Sequence, residues 1–185
     1  MDKIEILTKN FENYIKIPWT DAAALQRVIF SVYDKTIERR VRLRKEEFKI
    51  ATIKAGHTWE EFDLTDIFAS WLTSQRYTKE YFSNPEYLNT LLPKFLEYII
   101  KEFETFLSEH SVDGNTVVAV IGAGTLFGFL KVREAVEKMA PLVEGRLLIF
   151  FPGSFENNNY RLLDAYDGWN YHAVPITSDD KADYI

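Results

Sequence analysis

Three short apolar runs, rich in β-branched residues, constrain this chain more than anything else in it. They are Val28-Ile29-Phe30-Ser31-Val32-Tyr33, Thr116-Val117-Val118-Ala119-Val120-Ile121 and Arg146-Leu147-Leu148-Ile149-Phe150-Phe151. None alternates apolar with polar, so each predicts a strand buried on both faces. Trp59 to Asp63 reads as a further strand. Long helical patterns separate these runs. Strands joined through helices pair mostly in parallel and carry helices on both faces. The expected fold is therefore an α/β protein: three layers, α/β/α, around a mostly parallel sheet of 28–33, 59–63, 116–121 and 146–151.

The helices follow from periodicity. Ile4, Leu7, Phe11 and Tyr14 recur at helical spacing before Pro18. Residues 34–54 read as one long charged helix with Ile37, Val41, Phe48 and Ala51 on a face, ended by Gly56. Thr65 can cap a helix bearing Ile67, Phe68, Trp71 and Leu72. Asn84-Pro85 opens a short one. Phe95, Ile99 and Phe103 line a long helix ending near His110, and residues 126–139 form the last. A C-terminal antiparallel hairpin is expected to turn at Asp167-Gly168, between residues 162–166 and 169–174. Residues 178–185 read as a polar tail. We expect one domain over residues 1–185.

Composition removes several functions. There is no cysteine, which excludes thiol catalysis, disulfides and cysteine-based zinc sites. The net charge of −6 argues against broad nucleic-acid binding, and no direct specific binding of that kind is expected. The N-terminal residues lack a signal-peptide plan, and no apolar run is long enough to cross a bilayer. A cytoplasmic location is the expectation.

The chemistry-bearing residues gather at the predicted carboxyl ends of the strands, where open α/β sheets bind ligands. These are Asp34, Asp63 with Asp66, the Gly122-Ala123-Gly124 turn, and Gly153 with the asparagines Asn157, Asn158 and Asn159. Such a layout resembles a nucleotide or Mg²⁺ site. Strand-to-helix turns favour the same residue types for capping alone. Residues 122–128 space their glycines as G-x-G-x-x-x-G, one residue off the dinucleotide fingerprint. No Lys-Ser or Lys-Thr follows, as a phosphate-gripping loop needs. ATPase or GTPase activity and a bound cofactor are not expected. His57, His110 and His172 lie in no metal-binding spacing, and Ser154 sits in no nucleophile elbow.

Two groups suit a partner surface. Arg39, Arg40, Arg42 and Arg44 form a basic run, with Arg40 and Arg44 one helical turn apart. Glu38, Glu46 and Glu47 balance it. Residues 150–172 hold Phe155, Tyr160, Arg161, Trp169 and Tyr171, types that dominate binding hot spots. Trp169 and Tyr171 are expected to pack inward, because a lone ribbon needs a buried face. Phe155 and Arg161 remain as the interface candidates.

The chain also resembles a known family. The residues that carry the likeness are Tyr33-Asp34-Lys35, Glu38-Arg39-Arg40, Asp63-Leu64-Thr65 and Leu126-Phe127-Gly128-Phe129. Above all they are Phe151-Pro152-Gly153, Asn158-Asn159-Tyr160-Arg161-Leu162-Leu163-Asp164 and Asp167-Gly168-Trp169-Asn170-Tyr171. From about residue 19 to 176 the sequence is similar to the BrxB family of the BREX bacteriophage-exclusion systems. The resemblance implies a part in phage defence, as a non-catalytic accessory or adaptor subunit. It implies association with PglZ, the BREX protein with an alkaline-phosphatase-like domain, or with the wider complex. It implies no catalytic residue.

Overall fold

The computed structural model describes residues 2–165 and 168–179. Among the described residues six strands form the sheet: β1 (Val28–Tyr33), β2 (Thr58–Asp63), β3 (Thr116–Ile121), β4 (Arg146–Glu156), β5 (Asn159–Leu162) and β6 (Val174–Ile176). The order across the sheet is β2-β3-β4-β1-β6 with every neighbour parallel, and β5 adds antiparallel to β4. Every residue of β1 and β3 is buried, as their unbroken apolar pattern demands.

Among the described residues seven α-helices surround the sheet: α1 (Lys3–Ile15), α2 (Glu38–Leu43), α3 (Lys45–Lys54), α4 (Ile67–Thr73), α5 (Thr78–Ser83), α6 (Leu92–Glu109) and α7 (Val132–Met139). Strand residues alternate between two cores. On one face Ile29, Tyr33, Val117 and Leu148 meet Ile4, Leu7 and Phe11 of α1 and Val41, Phe48 and Ala51 of α2 and α3. Phe48 touches both Phe11 and Phe150, with centroids 5.1 and 5.0 Å away, so it ties α1 and α3 to β4. On the other face Phe30, Phe62, Val118 and Phe151 meet α4, α6, α7 and Tyr160. The apolar spacing of α1 buries Ile4, Leu7, Phe11 and Ile15 completely. Each such side chain contributes about 1.5–3 kcal/mol before the entropy of ordering is charged against it. The expected three-layer α/β/α fold is present.

Local departures from the expected plan have physical causes. The helix expected over 34–54 is three pieces: a 3-10 turn (Lys35–Ile37), then α2 and α3, broken at Arg44, whose φ and ψ are −106° and 10°. The helix expected over 126–139 starts only at Val132, because Gly128 takes φ +84° and unwinds the segment before it. Pro152-Gly153 does not end β4. Pro152 pairs in register with Tyr33 at the end of that ladder, and the strand continues to Glu156 beside β5. The hairpin therefore turns at Asn157-Asn158, with φ of 51° and 62°, the left-handed pair that a tight two-residue turn requires. Of the expected turn at Asp167-Gly168, Asp167 lies outside the described residues. Trp169 exchanges two backbone hydrogen bonds with Tyr160, at 2.9 and 3.0 Å, as an isolated bridge rather than a strand. Most of the tail expected beyond residue 178 also lies outside the described residues.

Candidate functional site

The strand ends carry two separate arrangements. The first is a locked polar clip across β1, β2 and β3. Tyr33, the last residue of β1, donates a 2.5 Å hydrogen bond to Glu38. The other oxygen of Glu38 accepts from Arg42 Nε at 2.6 Å, and Arg42 Nη1 donates to Thr65 Oγ1 at 2.8 Å. Asp63 Oδ1 accepts from the backbone N–H of Thr65 at 2.8 Å and from its hydroxyl at 2.5 Å. Gly122 closes the clip. It has φ +80°, and a Cβ there would lie 2.8 Å from Thr65 N. Burial, and then the Glu38 carboxylate, push the Tyr33 phenol far above its ordinary range, so it stays a donor. Burial works against the Arg42 charge, but Glu38 outweighs it and Arg42 is held more firmly protonated. These groups satisfy one another, which gives them a structural role.

The second arrangement is an open cavity of about 400 Å³ beyond β1 and β4. Asp34 and Lys35 line it from β1, Gly153 and Ser154 from β4, and Arg161, Leu163, Asp164 and Ala165 from β5 and its sequel. Asp34 Oδ1 accepts from the backbone N–H of Thr36 at 2.8 Å and from its hydroxyl at 2.5 Å. The hydroxyl first, then the amide, hold the Asp34 carboxyl below its ordinary value, so it is ionised at neutral pH. Lys35 pairs with Asp164. Arg161 is exposed and makes no ion pair to a described residue.

The structure divides the strand-end residues singled out in the sequence. Asp34 lies in the cavity and Asp63 in the clip, with β3 and β4 between their strands. At about 4.8 Å per strand that is roughly 14 Å, too far to share a metal ion. Gly122 belongs to the clip. Gly124 packs near Pro152 and Leu163. Asn158 and Asn159 are exposed at the hairpin tip and line none of the cavity. Among the described residues no three of His, Cys, Asp and Glu gather to hold a metal ion. His57 stacks on Trp19 at 3.7 Å, and His110 Nδ1 lies 2.9 Å from the Phe106 carbonyl oxygen.

The partner candidates also separate. Arg40 and Arg44 both reach Asp2 at the start of α1, at 2.5 and 3.3 Å, and Arg44 also holds Glu47 at 2.6 Å. Phe155 is half-buried, its ring 4.6 Å from that of Tyr160. Tyr171 is buried, and Trp169 is half-buried against Phe30, Phe151 and Tyr160. Arg161 thus stands among the strongest candidates on both counts, as an exposed cation at a cavity mouth, with Phe155 on the other face of the ribbon. Residue reading gave Lys35 and Asp164 no place in a site and gave Thr65 only that of a helix cap. The repeated Asp-x-Thr after β1 and after β2 was the available signal for Thr65, since both copies fold into the same side-chain-to-backbone turn.

Comparison with known proteins names the class. The family model described as BREX protein BrxB matches residues 60–176, more than half of the chain. The chain belongs to the BrxB family, and so is a component of BREX phage defence. No curated protein and no solved structure matches. No helix among the described residues is long and apolar enough to cross a membrane.

Proposed function

We propose that this protein is a non-catalytic adaptor of a BREX phage-defence system, acting in the cytoplasm by docking onto a larger BREX component, the PglZ-like protein first. Family membership carries this reading. The geometry adds a plausible contact. The β4–β5 hairpin carries exposed Arg161 on one face and half-buried Phe155, packed on the core, on the other, an arginine and an aromatic of the kind that anchor interfaces. The basic residues Arg40 and Arg44 lie on a separate helical surface, where both pair with Asp2 and each side chain stays partly exposed. The test is a pull-down with the neighbouring PglZ-like protein, using Phe155→Ala and Arg161→Ala chains first shown to be folded. Weakened binding by either variant supports docking through the hairpin. Undiminished binding by both removes this surface, and no binding by the unaltered chain removes the direct partner.

A further inference from the structure

The topology singles out one crevice. From β1 the chain passes to β2 through α2 and α3, which pack on the α1 face of the sheet. From β4 it leaves through β5 and Tyr160, Leu162 and Tyr171, which pack on the opposite face. β1 and β4 are direct neighbours. Their outgoing connections diverge to opposite faces, so the sheet opens between their carboxyl ends. In open α/β sheets such a switch point is where ligands bind. Tyr33 and Pro152 are the last residues paired between the two strands. The next residue on each strand, Asp34 and Gly153, lines the cavity already described.

We propose that this crevice binds a small phosphorylated polyol, such as a sugar phosphate or a mononucleotide, with Arg161 on the phosphate and Asp34 on its hydroxyl groups. Charge balance points to that chemistry. Lys35 and Asp164 neutralise each other. That leaves Arg161, which makes no ion pair to a described residue, and Asp34 as a fixed anion on the same cavity. A guanidinium fork suits phosphate oxygens. Asp34 Oδ1 is committed to Thr36, which orients the carboxylate and leaves Oδ2 as an acceptor for ligand O–H groups. The volume of about 400 Å³ falls within the range of small-molecule sites. The proposal needs no catalysis; it shares Arg161 with the docking surface, and Phe155→Ala separates the two.

Amide NMR of the full chain tests it, with ribose 5-phosphate, inorganic phosphate and ribose as probes. Ribose 5-phosphate is expected to shift the amides of Asp34, Lys35, Gly153, Ser154 and Arg161, and to bind more tightly than either fragment. Arg161→Ala is expected to weaken it at least about tenfold, which is 1.4 kcal/mol. Asp34→Asn should abolish the preference for ribose 5-phosphate over inorganic phosphate. Phe155→Ala, which lies outside the cavity lining, should leave this binding unchanged whatever it does to the pull-down. Overturning results are an absence of shifts at these amides with all three probes, full affinity in Arg161→Ala, or inorganic phosphate binding as tightly as the sugar phosphate.

Discussion

Tyr33 and Glu38 are joined by a 2.5 Å hydrogen bond that fastens the end of β1 to the first turn of α2. Burial and the carboxylate both keep the phenol protonated. Tyr33→Phe removes the donor and leaves the ring's packing in place. Glu38 keeps Arg42. The expected cost is about 1–2 kcal/mol, seen as a lower urea midpoint with an unchanged slope. An unshifted midpoint would show that the bond contributes nothing.

Gly122 and Gly128 make a matched pair for a backbone test. Both have positive φ, +80° and +84°. A Cβ at Gly122 meets the Thr65 amide, which Asp63 holds in place, whereas one at Gly128 meets nothing within 4 Å. Gly128→Ala should cost about 1–2 kcal/mol, the left-handed penalty alone. Gly122→Ala should cost clearly more, about 3 kcal/mol or above once the steric clash is added. Chemical denaturation of the two variants gives the order directly, and equal losses would refute the clash.

The hairpin tip can be improved. Asn158 takes φ 62° and is exposed. Asn158→Gly should be neutral or stabilise slightly, while Asn158→Val should destabilise by about 1–2 kcal/mol through the left-handed penalty. Thermal unfolding would read this, and a tolerated valine would mean the turn is not held as described.

One pH effect has a defined sign. Asp113 accepts from Thr116 Oγ1 at 2.8 Å and from the Asn115 amide at 2.9 Å. The hydroxyl first, then the amide, lower its pKa below the ordinary 3.8. A depressed carboxyl stabilises the fold above its unfolded value and loses that contribution as pH falls through the folded one. The Asp113→Asn chain should therefore be less stable than the unaltered chain near neutrality, with the gap narrowing below about pH 4. Urea midpoints across that range would show it, and a gap independent of pH would contradict it.

The strand cores were legible because β1, β3 and the first part of β4 are apolar on both faces, a pattern that few other structures tolerate. The extension of β4 was not. Pro152-Gly153 reads as a stop, yet Pro152 sits at the end of the β1 ladder, and β5 pairs with the strand beyond it. β6 was hidden because it is only three residues with Pro175 in the middle. Of the candidate site, Asp34 and Arg161 could each be read locally. Their shared cavity could not, since it depends on which faces the connections from β1 and β4 take. The break at Arg44 carries no glycine or proline to announce it.

The sheet order also dictates when this protein can fold. The two neighbours of β1 are β4 and β6, and both follow it by more than a hundred residues. Val28 must wait for Leu147, and Ile29 for Val174. Pairing across such sequence separations is slow, and an early apolar strand with unpaired edges invites aggregation while it waits. A chain halted before residue 146 would hold β2 and β3 with their helices but leave β1 without a partner. The centre of the fold is thus the last part to form, and its early segments depend on late ones.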